Sequence, residues 1–156
     1  MKIVIGCDEA ACTLKETIKE HIISKGHEVI DKGTFNNEPV LYPDIAVTVA
    51  RSVADGEAER GILLCGTGIG MAISANKVPG IRAAVCHDSY STERARKSND
   101  AQIMCMGARV IGIELAKQLV DIWLASEFAG GGSKEKVDRI NYYDLSNRHV
   151  KESIKN

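Results

Sequence analysis

A cysteine followed by three alternating glycines is the segment of this chain best suited to chemistry. Cys65 ends a continuous apolar run, and Gly66, Gly68 and Gly70 follow it as CGTGIG, directly before a helix-compatible stretch. Successive backbone amides in such a turn can hold an anion, and the positive end of the following helix strengthens the effect. A thiol in this position ionises readily, so Cys65 is a candidate base or nucleophile.

The same segment also allows plainer interpretations. It lacks the GK[ST] ending of a P-loop, and it reads GxGxG rather than the full GxGxxG of a dinucleotide site. A tight strand-to-helix turn without a ligand needs similar glycines, and a buried structural thiol is the commonest role of a free cysteine. From the residues alone, the catalytic and structural interpretations of Cys65 are equally supported.

The surrounding sequence alternates short apolar runs with longer amphipathic stretches. Strands are predicted at 2–7, 27–31, 60–65, 81–86 and 102–106, and helices at 13–24, 43–56, 71–78, 89–98, 111–125 and 133–153. This alternation predicts an α/β fold with a parallel sheet. Ligands bind beyond the carboxyl ends of such strands. The residues at those ends are Asp8 and Glu9, Gly66–Gly70, His87 and Asp88, and Gly107–Arg109.

The composition excludes several classes of protein. The chain has 156 residues, 44% of them hydrophobic, and a formal net charge of −1. One domain is expected, with no nucleic-acid partner because a surplus of cations is absent. The longest apolar runs are too short to span a membrane, and the N-terminus lacks the pattern of a signal peptide, so a cytoplasmic location is expected. The five cysteines show neither a disulfide framework nor zinc spacing, and no metal is expected.

The C-terminal tail, 133–156, differs from the rest of the chain. It is rich in charge, and its apolar positions are sparse. We expect this helix to dock on a partner subunit, and a surface helix packed on its own sheet is the alternative.

The sequence resembles the type B ribose-5-phosphate isomerases and the related galactose-6-phosphate isomerase subunits. The matching segments are GCD at 6–8, VIDKGT at 29–34, YPD at 42–44, GILLCGTGIGMAISANKVPGIRAAVC at 61–86, SND at 98–100, GARVIG at 107–112 and LAKQLVDIWL at 115–124. The resemblance implies a Rossmann-like three-layer α/β/α sandwich with a five-stranded parallel sheet. It also implies homodimers or tetramers with shared active sites, and interconversion of aldose and ketose phosphates without a cofactor.

The resemblance assigns a role to each candidate residue. Cys65 is the base that moves a proton between C1 and C2 through a cis-enediolate, and Thr67 assists it. The oxyanion is held by backbone amides, those of Gly66, Thr67, Gly68, Ile69 and Gly70. Asp8, Tyr42 and Asn99 contact the sugar, and Arg109 binds the phosphate of a neighbouring subunit's site.

Three positions depart from the family pattern. Glu9 replaces the histidine that usually follows the first aspartate, and Ser98 replaces the histidine assigned to opening the furanose ring. After the glycines at 130–132, one phosphate-binding arginine is absent and Lys136 stands in place of the other. His87 is the one nearby histidine whose position suits it to replace the missing ring-opening group.

These departures leave the substrate open. Ribose 5-phosphate is the nominal substrate, with His87 or Ser98 and water assisting ring opening. A tetrose 4-phosphate cannot close a furanose, because its O4 is esterified, and such a substrate would not need the missing histidine. A hexose 6-phosphate is a third option, and a non-catalytic sugar-phosphate-binding subunit is an alternative of another class. The chemistry of the departures favours the shorter sugar.

Overall fold

The computed structural model describes the backbone of residues 1–154 and the side chains of residues 1–148. The strands of this part are β1 (Lys2–Cys7), β2 (Glu28–Asp31), β3 (Arg60–Cys65), β4 (Ala83–Val85) and β5 (Ile103–Gly107). The helices are α1 (Cys12–Ser24), α2 (Tyr42–Ala54), α3 (Ile69–Ala75), α4 (Ser89–Lys97), α5 (Ile113–Ala125) and α6 (Gly132–Ile154). A single 3₁₀ turn, Glu9–Ala11, precedes α1.

The sheet has the strand order β2-β1-β3-β5-β4, and every neighbouring pair is parallel. β3 and β5 lie inside the sheet, and all of their residues are buried, as expected for continuous apolar strands covered on both faces. This order places the carboxyl end of β3 between those of β1 and β5. Segments far apart in sequence therefore meet beside Cys65.

Two apolar clusters cover the two faces of the sheet. On one face, α1 and α5 pack through residues such as Ile18 and Trp123. On the other face, α2 and α3 pack through residues such as Val49 and Met71. The predicted three-layer α/β/α sandwich with a five-stranded parallel sheet is confirmed.

The segment joining α3 to β4 is less regular than the sequence predicts. The expected helix 71–78 ends at Ala75 and the expected strand 81–86 shortens to Ala83–Val85. The side-chain amide of Asn76 causes much of this change, because it accepts from the amide of Ala83 and donates to its carbonyl, both at 2.9 Å. A side chain here replaces the backbone pairing of a longer strand.

α6 stands apart from the sandwich. Val137 is its one buried side chain among those described. Asp144 accepts from the amide of Gly80 at 2.8 Å, and Asn141 accepts from the Arg82 guanidinium at 2.9 Å, so the helix lies along the turn before β4 of its own chain. Docking of α6 on a partner subunit stays a prediction. Within the described residues, the structure contains no helix with the length and apolar character needed to cross a membrane.

Candidate active site

Backbone hydrogen bonds join the carboxyl ends of three strands around Cys65. The amide of Asp8, just after β1, donates to the carbonyl of Leu64 at 3.1 Å. The amide of Ala108, just after β5, donates to the carbonyl of Cys65 at 2.8 Å. Backbone hydrogen bonds therefore hold Asp8, Cys65 and the turn after β5 together at the base of the candidate site.

The Cys65 thiol lies inside the glycine-rich turn and is only 6% exposed. The amide of Gly68 donates to its sulfur at 3.0 Å. Gly68 has φ +77°, and a Cβ there would lie 3.0 Å from the carbonyl carbon of Met106, so the close approach of amide and sulfur requires glycine. The sulfur of Cys65 is thus a hydrogen-bond acceptor in this turn.

Two of the amides expected to face the substrate are directed to the site's own side chains instead. The Gly68 amide faces the Cys65 sulfur, and the Ile69 amide donates to the hydroxyl of Thr67 at 3.3 Å. Thr67 itself is exposed above the turn. The turn thus holds the base and the hydroxyl in place as much as it offers donors to a ligand.

The first sugar-binding candidates surround this turn. A Cβ on Gly70 would lie 2.5 Å from the ring of Tyr42, so the ring covers the start of α3 only because position 70 is glycine. Burial raises the pKa of Asp8, and the amide of Ala10 and the charge of Arg109 oppose that rise only partly. The structure therefore gathers Asp8, Tyr42 and the glycine-rich turn around Cys65, and their contacts with a sugar stay a prediction.

Glu9 faces the loop before α2. Its carboxylate accepts from the amide of Val40 at 3.3 Å. Val40 lies two residues before Tyr42, so Glu9 anchors the loop that presents the Tyr42 ring. At this position, an anchoring carboxylate occupies the place of the family's histidine.

Arg109 lies within its own protomer's site. Its guanidinium is 3.5 Å from where a Cβ on Gly66 would stand, and its charge acts on Asp8. The strand order explains this position: β5 lies beside β3, and the amide of Arg109 donates to the carbonyl of Gly66 at 3.0 Å. The expectation that Arg109 also binds the phosphate of a neighbouring subunit's site stays a prediction.

His87 is attached to the strand next to Cys65. Its Nε2 accepts from the amide of Gly107 at 2.8 Å, and burial lowers the pKa of its imidazole while the Asp88 carboxylate opposes that shift. Nε2 of His87 is thus already bonded to the protein backbone.

The remaining candidates lie at the opposite edge of the sheet. α4 starts after the carboxyl end of β4 and returns to the amino end of β5. Ser98 and Asn99 directly follow its last residue. α6 also starts there, since the amide of Ala129 donates to the carbonyl of Lys97 at 3.1 Å. Lys136 lines a groove along α6. A strand of six residues is roughly 20 Å long, so the chain does not bring Ser98, Asn99 or Lys136 to its own Cys65.

Sequence reasoning placed Gly107 at a strand end where ligands bind but assigned it no role. A Cβ there would lie 2.6 Å from the Cα of Thr67 and 2.7 Å from the carbonyl oxygen of Gly66, so this glycine supports the turn from behind. A glycine ending a buried strand was the available signal. It points to Gly107 only once β5 is known to neighbour β3.

Three further thiols, those of Cys7, Cys86 and Cys105, are fully buried. Burial raises the pKa of Cys7 to about 12 and that of Cys86 to about 11, and it raises the pKa of Cys105 well above its ordinary value. These three are inert as bases near neutral pH. Among the residues that the structure describes, no three His, Cys, Asp or Glu side chains converge to hold a metal ion.

Comparison with known proteins finds consistent likenesses along the chain. The model of the Ribose/Galactose Isomerase family matches residues 3–140. A D-erythrulose-4-phosphate isomerase of Pectobacterium atrosepticum is 54% identical, over 96% of this chain and 99% of that protein. A ribose-5-P isomerase B of Listeria innocua is 59% identical, over 95% of this chain and 100% of that protein. The solved structure of Clostridium thermocellum ribose-5-phosphate isomerase B matches with a TM-score of 0.93 and 48% identity, covering 94% of this chain and 99% of that one.

Proposed function

The chain belongs to the ribose/galactose isomerase family and is an aldose–ketose isomerase of sugar phosphates, and from that premise we propose that its preferred substrate is a tetrose 4-phosphate. The observation that carries this choice is the state of His87. Its Nε2 is bonded to the amide of Gly107. Nε2 is therefore not available to replace the ring-opening histidine that is missing at Ser98, and His87 could act there only through Nδ1.

The chemistry of the substrate explains why this matters. Ribose 5-phosphate is mostly a closed furanose in water, and an enzyme that uses it benefits from an acid that protonates the ring oxygen. Such assistance contributes about 10²–10⁴-fold. A tetrose 4-phosphate has no hydroxyl left to close that ring, so a serine at position 98 costs it nothing.

Cys65 is the proposed base of the reaction. Its thiolate removes a proton from C1 of the ketose, and the electrons of that C–H bond form the C1–C2 double bond of a cis-enediolate with its charge on O2. Return of the proton to C2 and loss of the O1 proton gives the aldehyde. The Thr67 hydroxyl, oriented by the Ile69 amide, lies beside the sulfur-holding turn and is suited to move the proton between O1 and O2.

Asp8, Tyr42 and Arg109 complete the proposed site. Arg109 is a cation beside the glycine-rich turn, and its planar guanidinium suits a phosphate group. Asp8 and Tyr42 present a carboxyl and a phenol for the sugar hydroxyls. The relatives named as isomerases over nearly their whole length favour a catalytic chain over a non-catalytic binding subunit.

A substrate screen tests the proposal. We expect a higher kcat/KM for D-erythrulose 4-phosphate than for ribose 5-phosphate or galactose 6-phosphate, because only the first is always open. Ser98→His should raise kcat/KM for ribose 5-phosphate by about tenfold or more, within reach of a placed general acid, and change the tetrose rate much less. Ser24→His, at the end of α1, is the matched control and should change neither rate. Wild-type preference for ribose 5-phosphate, lost in His87→Ala, would overturn the tetrose assignment.

The position of Ser98, Asn99 and Lys136 supports a second part of the proposal, an active site shared by two subunits. These residues lie at the amino edge of the sheet, and a second copy of the chain is what would bring such an edge to Cys65. Cyclic dimers place the same pair of surfaces together twice.

Complementation tests the shared site directly. Cys65→Ala and Asn99→Ala should each have little activity alone. Co-expressed, they should form hybrid dimers in which one site has both substitutions and the other has none, giving about a quarter of wild-type activity. Cys65→Ala co-expressed with Asp8→Ala is the control and should regain nothing, because both residues lie at the same edge. Equal recovery in the two mixtures, or none in the first, contradicts a shared site.

A further inference from the structure

β5 extends two residues beyond the last residue of β4, and this leaves a backbone donor without a strand partner. Val85 ends β4 opposite Cys105, and the amide of Cys86 donates to the carbonyl of Cys105 at 2.9 Å. The amide of Gly107 comes next on that side of β5. His87 Nε2 accepts its hydrogen at 2.8 Å, so a side chain completes the ladder where the backbone of β4 has ended.

Gly107, the residue held in this way, contacts the backbone beneath the active site on its other side. Gly107 lies opposite Cys65 in the register of β3 and β5. The two amides after it donate to the site, Ala108 to the carbonyl of Cys65 at 2.8 Å and Arg109 to that of Gly66 at 3.0 Å. A shift of Gly107 would therefore move the base and the start of the glycine-rich turn together.

We propose that His87 is a positioning residue of the isomerisation, which rests on the proposed function: its imidazole fixes Gly107, and Gly107 fixes Cys65 and its turn. A backbone amide can only donate, so Nε2 is unprotonated and Nδ1 carries the ring hydrogen. Protonation of Nε2 would replace an acceptor by a donor and break the bond. His87 thus acts through the backbone, without touching a reacting atom.

The surroundings keep the imidazole in this neutral form. Burial lowers the pKa of His87, and the Asp88 carboxylate opposes that shift. The groups that face it or share its edge are Asp88 before α4, Cys86 after β4, Cys105 on β5, and Asp8 and Arg109 across the site. The thiols of Cys86 and Cys105 stay protonated and uncharged, because burial raises their pKa. The bond is therefore intact above the ordinary histidine pKa of about 6.5 and is lost as the pH falls through the lowered value.

Two substitutions of His87 separate positioning from chemistry. His87→Ala removes the acceptor, and we expect kcat to fall about tenfold, with a smaller change in KM, as for loss of one aligning hydrogen bond. His87→Gln offers a carbonyl acceptor that does not titrate. We expect it to restore kcat to within about threefold of wild type and to retain more of its rate at about pH 5.5 than wild type does. His27→Ala, at the amino edge, is the control and should behave as wild type.

Measurements that do not need turnover accompany the kinetics. Nitrogen-15 spectra should show His87 as the Nδ1–H tautomer, and exchange of the Gly107 amide should be faster in His87→Ala than in His87→Gln. All rates are measured with both the tetrose and the pentose phosphate. A wrong substrate assignment would change which sugar reacts, but not the ratio of variant to wild type.

Three results would overturn the proposal. One is a folded His87→Ala enzyme with wild-type kcat. Another is a His87→Gln enzyme as slow as His87→Ala, which would make the imidazole a chemical participant. The third is an Nε2–H tautomer at neutral pH, which is incompatible with acceptance from Gly107.

Discussion

The two edges of the sheet use their glycines in opposite ways. At the carboxyl edge, a Cβ on Gly68 would lie 3.0 Å from the Met106 backbone, and one on Gly107 would lie 2.6 Å from the Cα of Thr67. At the amino edge, Gly56 and Gly80 also have positive φ, but a Cβ on either meets nothing within 4 Å. At the carboxyl edge these glycines allow backbone segments to pack closely, whereas at the amino edge they only allow the chain to turn.

The helices repeat this difference. α3 starts within the glycine-rich turn and has three buried residues among seven, whereas α6 keeps one buried side chain among those described and contacts the sheet's amino edge through polar groups. Close contact fixes atoms to fractions of an ångström, as catalysis requires. We therefore expect substitutions at the carboxyl edge to affect turnover. Substitutions at the amino edge should affect the stability of a protomer, or the assembly of subunits where this edge completes the active site of a partner.

The largest effect should come from the thiol at the centre of the carboxyl edge. Cys65→Ala removes the proposed base, and we expect kcat to fall by about 10²–10⁴-fold, while circular dichroism shows an intact fold. Cys105→Ala is the matched control, a fully buried thiol on the next strand. It should lower the free energy of unfolding by about 0.5–3 kcal/mol and leave kcat near wild type. Turnover in Cys65→Ala close to that of wild type would remove Cys65 from the mechanism.

A pair of glycine substitutions sharpens the comparison of edges. Gly68→Ala and Gly56→Ala place a side chain at nearly the same dihedral, φ +77° and +78°, so both should lose about 1 kcal/mol of stability to backbone strain. Only Gly68→Ala also meets the Met106 backbone and moves the amide that faces Cys65. We expect its kcat to fall more than tenfold, since small misplacements at a reacting centre are costly, and that of Gly56→Ala to stay unchanged. An equal loss of turnover in both would mean that the turn serves only as a turn.

A feature of the fold could be predicted from the sequence when the interactions that form it are local in the chain. Alternating apolar runs and amphipathic stretches predicted all five strands and a parallel sheet, because burial patterns are local, and the family resemblance implied the three layers. The bounds at 71–86 were wrong because they depend on one side chain, Asn76, bonding to Ala83 seven residues away. Spacing alone indicated Cys65 and its turn as a candidate site, and the family resemblance assigned the thiol the role of base.

The parts of the site that depend on strand order could not be read from the sequence. The spatial order β3-β5-β4 places Gly107 behind Thr67 and turns Arg109 onto Gly66 of its own chain. The same order leaves Ser98 and Asn99 at the far edge. The local pattern predicts where each strand lies in the sequence but not which strand lies beside it, so these placements required the structure.

The smallest effect is expected at the amino edge, where Asp144 joins α6 to Gly80. Burial raises the pKa of Asp144, but hydrogen bonds from the Gly80 amide and the Arg148 guanidinium outweigh it and hold the pKa below its ordinary value. A carboxyl with a lowered pKa stabilises the folded state above the unfolded-state pKa of about 3.9, and that stabilisation is lost as the pH falls from there through the lowered pKa of the folded state. Asp144→Asn should therefore lower the free energy of unfolding at neutral pH by less than about 1 kcal/mol, as for other part-exposed ion pairs.

Urea unfolding of Asp144→Asn and wild type between neutral pH and about pH 3 measures this effect, and the difference between them should shrink on acidification. Asp138→Asn is the control, because Asp138 pairs with Lys134 on the exposed side of the same helix and holds nothing outside it. Hydrogen exchange at the Gly80 amide should quicken in the first variant and not in the second. Turnover should change less than about twofold in either, since neither carboxylate approaches Cys65. A loss of turnover in Asp144→Asn as large as in Gly68→Ala would show that α6 controls the geometry of the site, and the two edges would then have to be treated as one coupled unit.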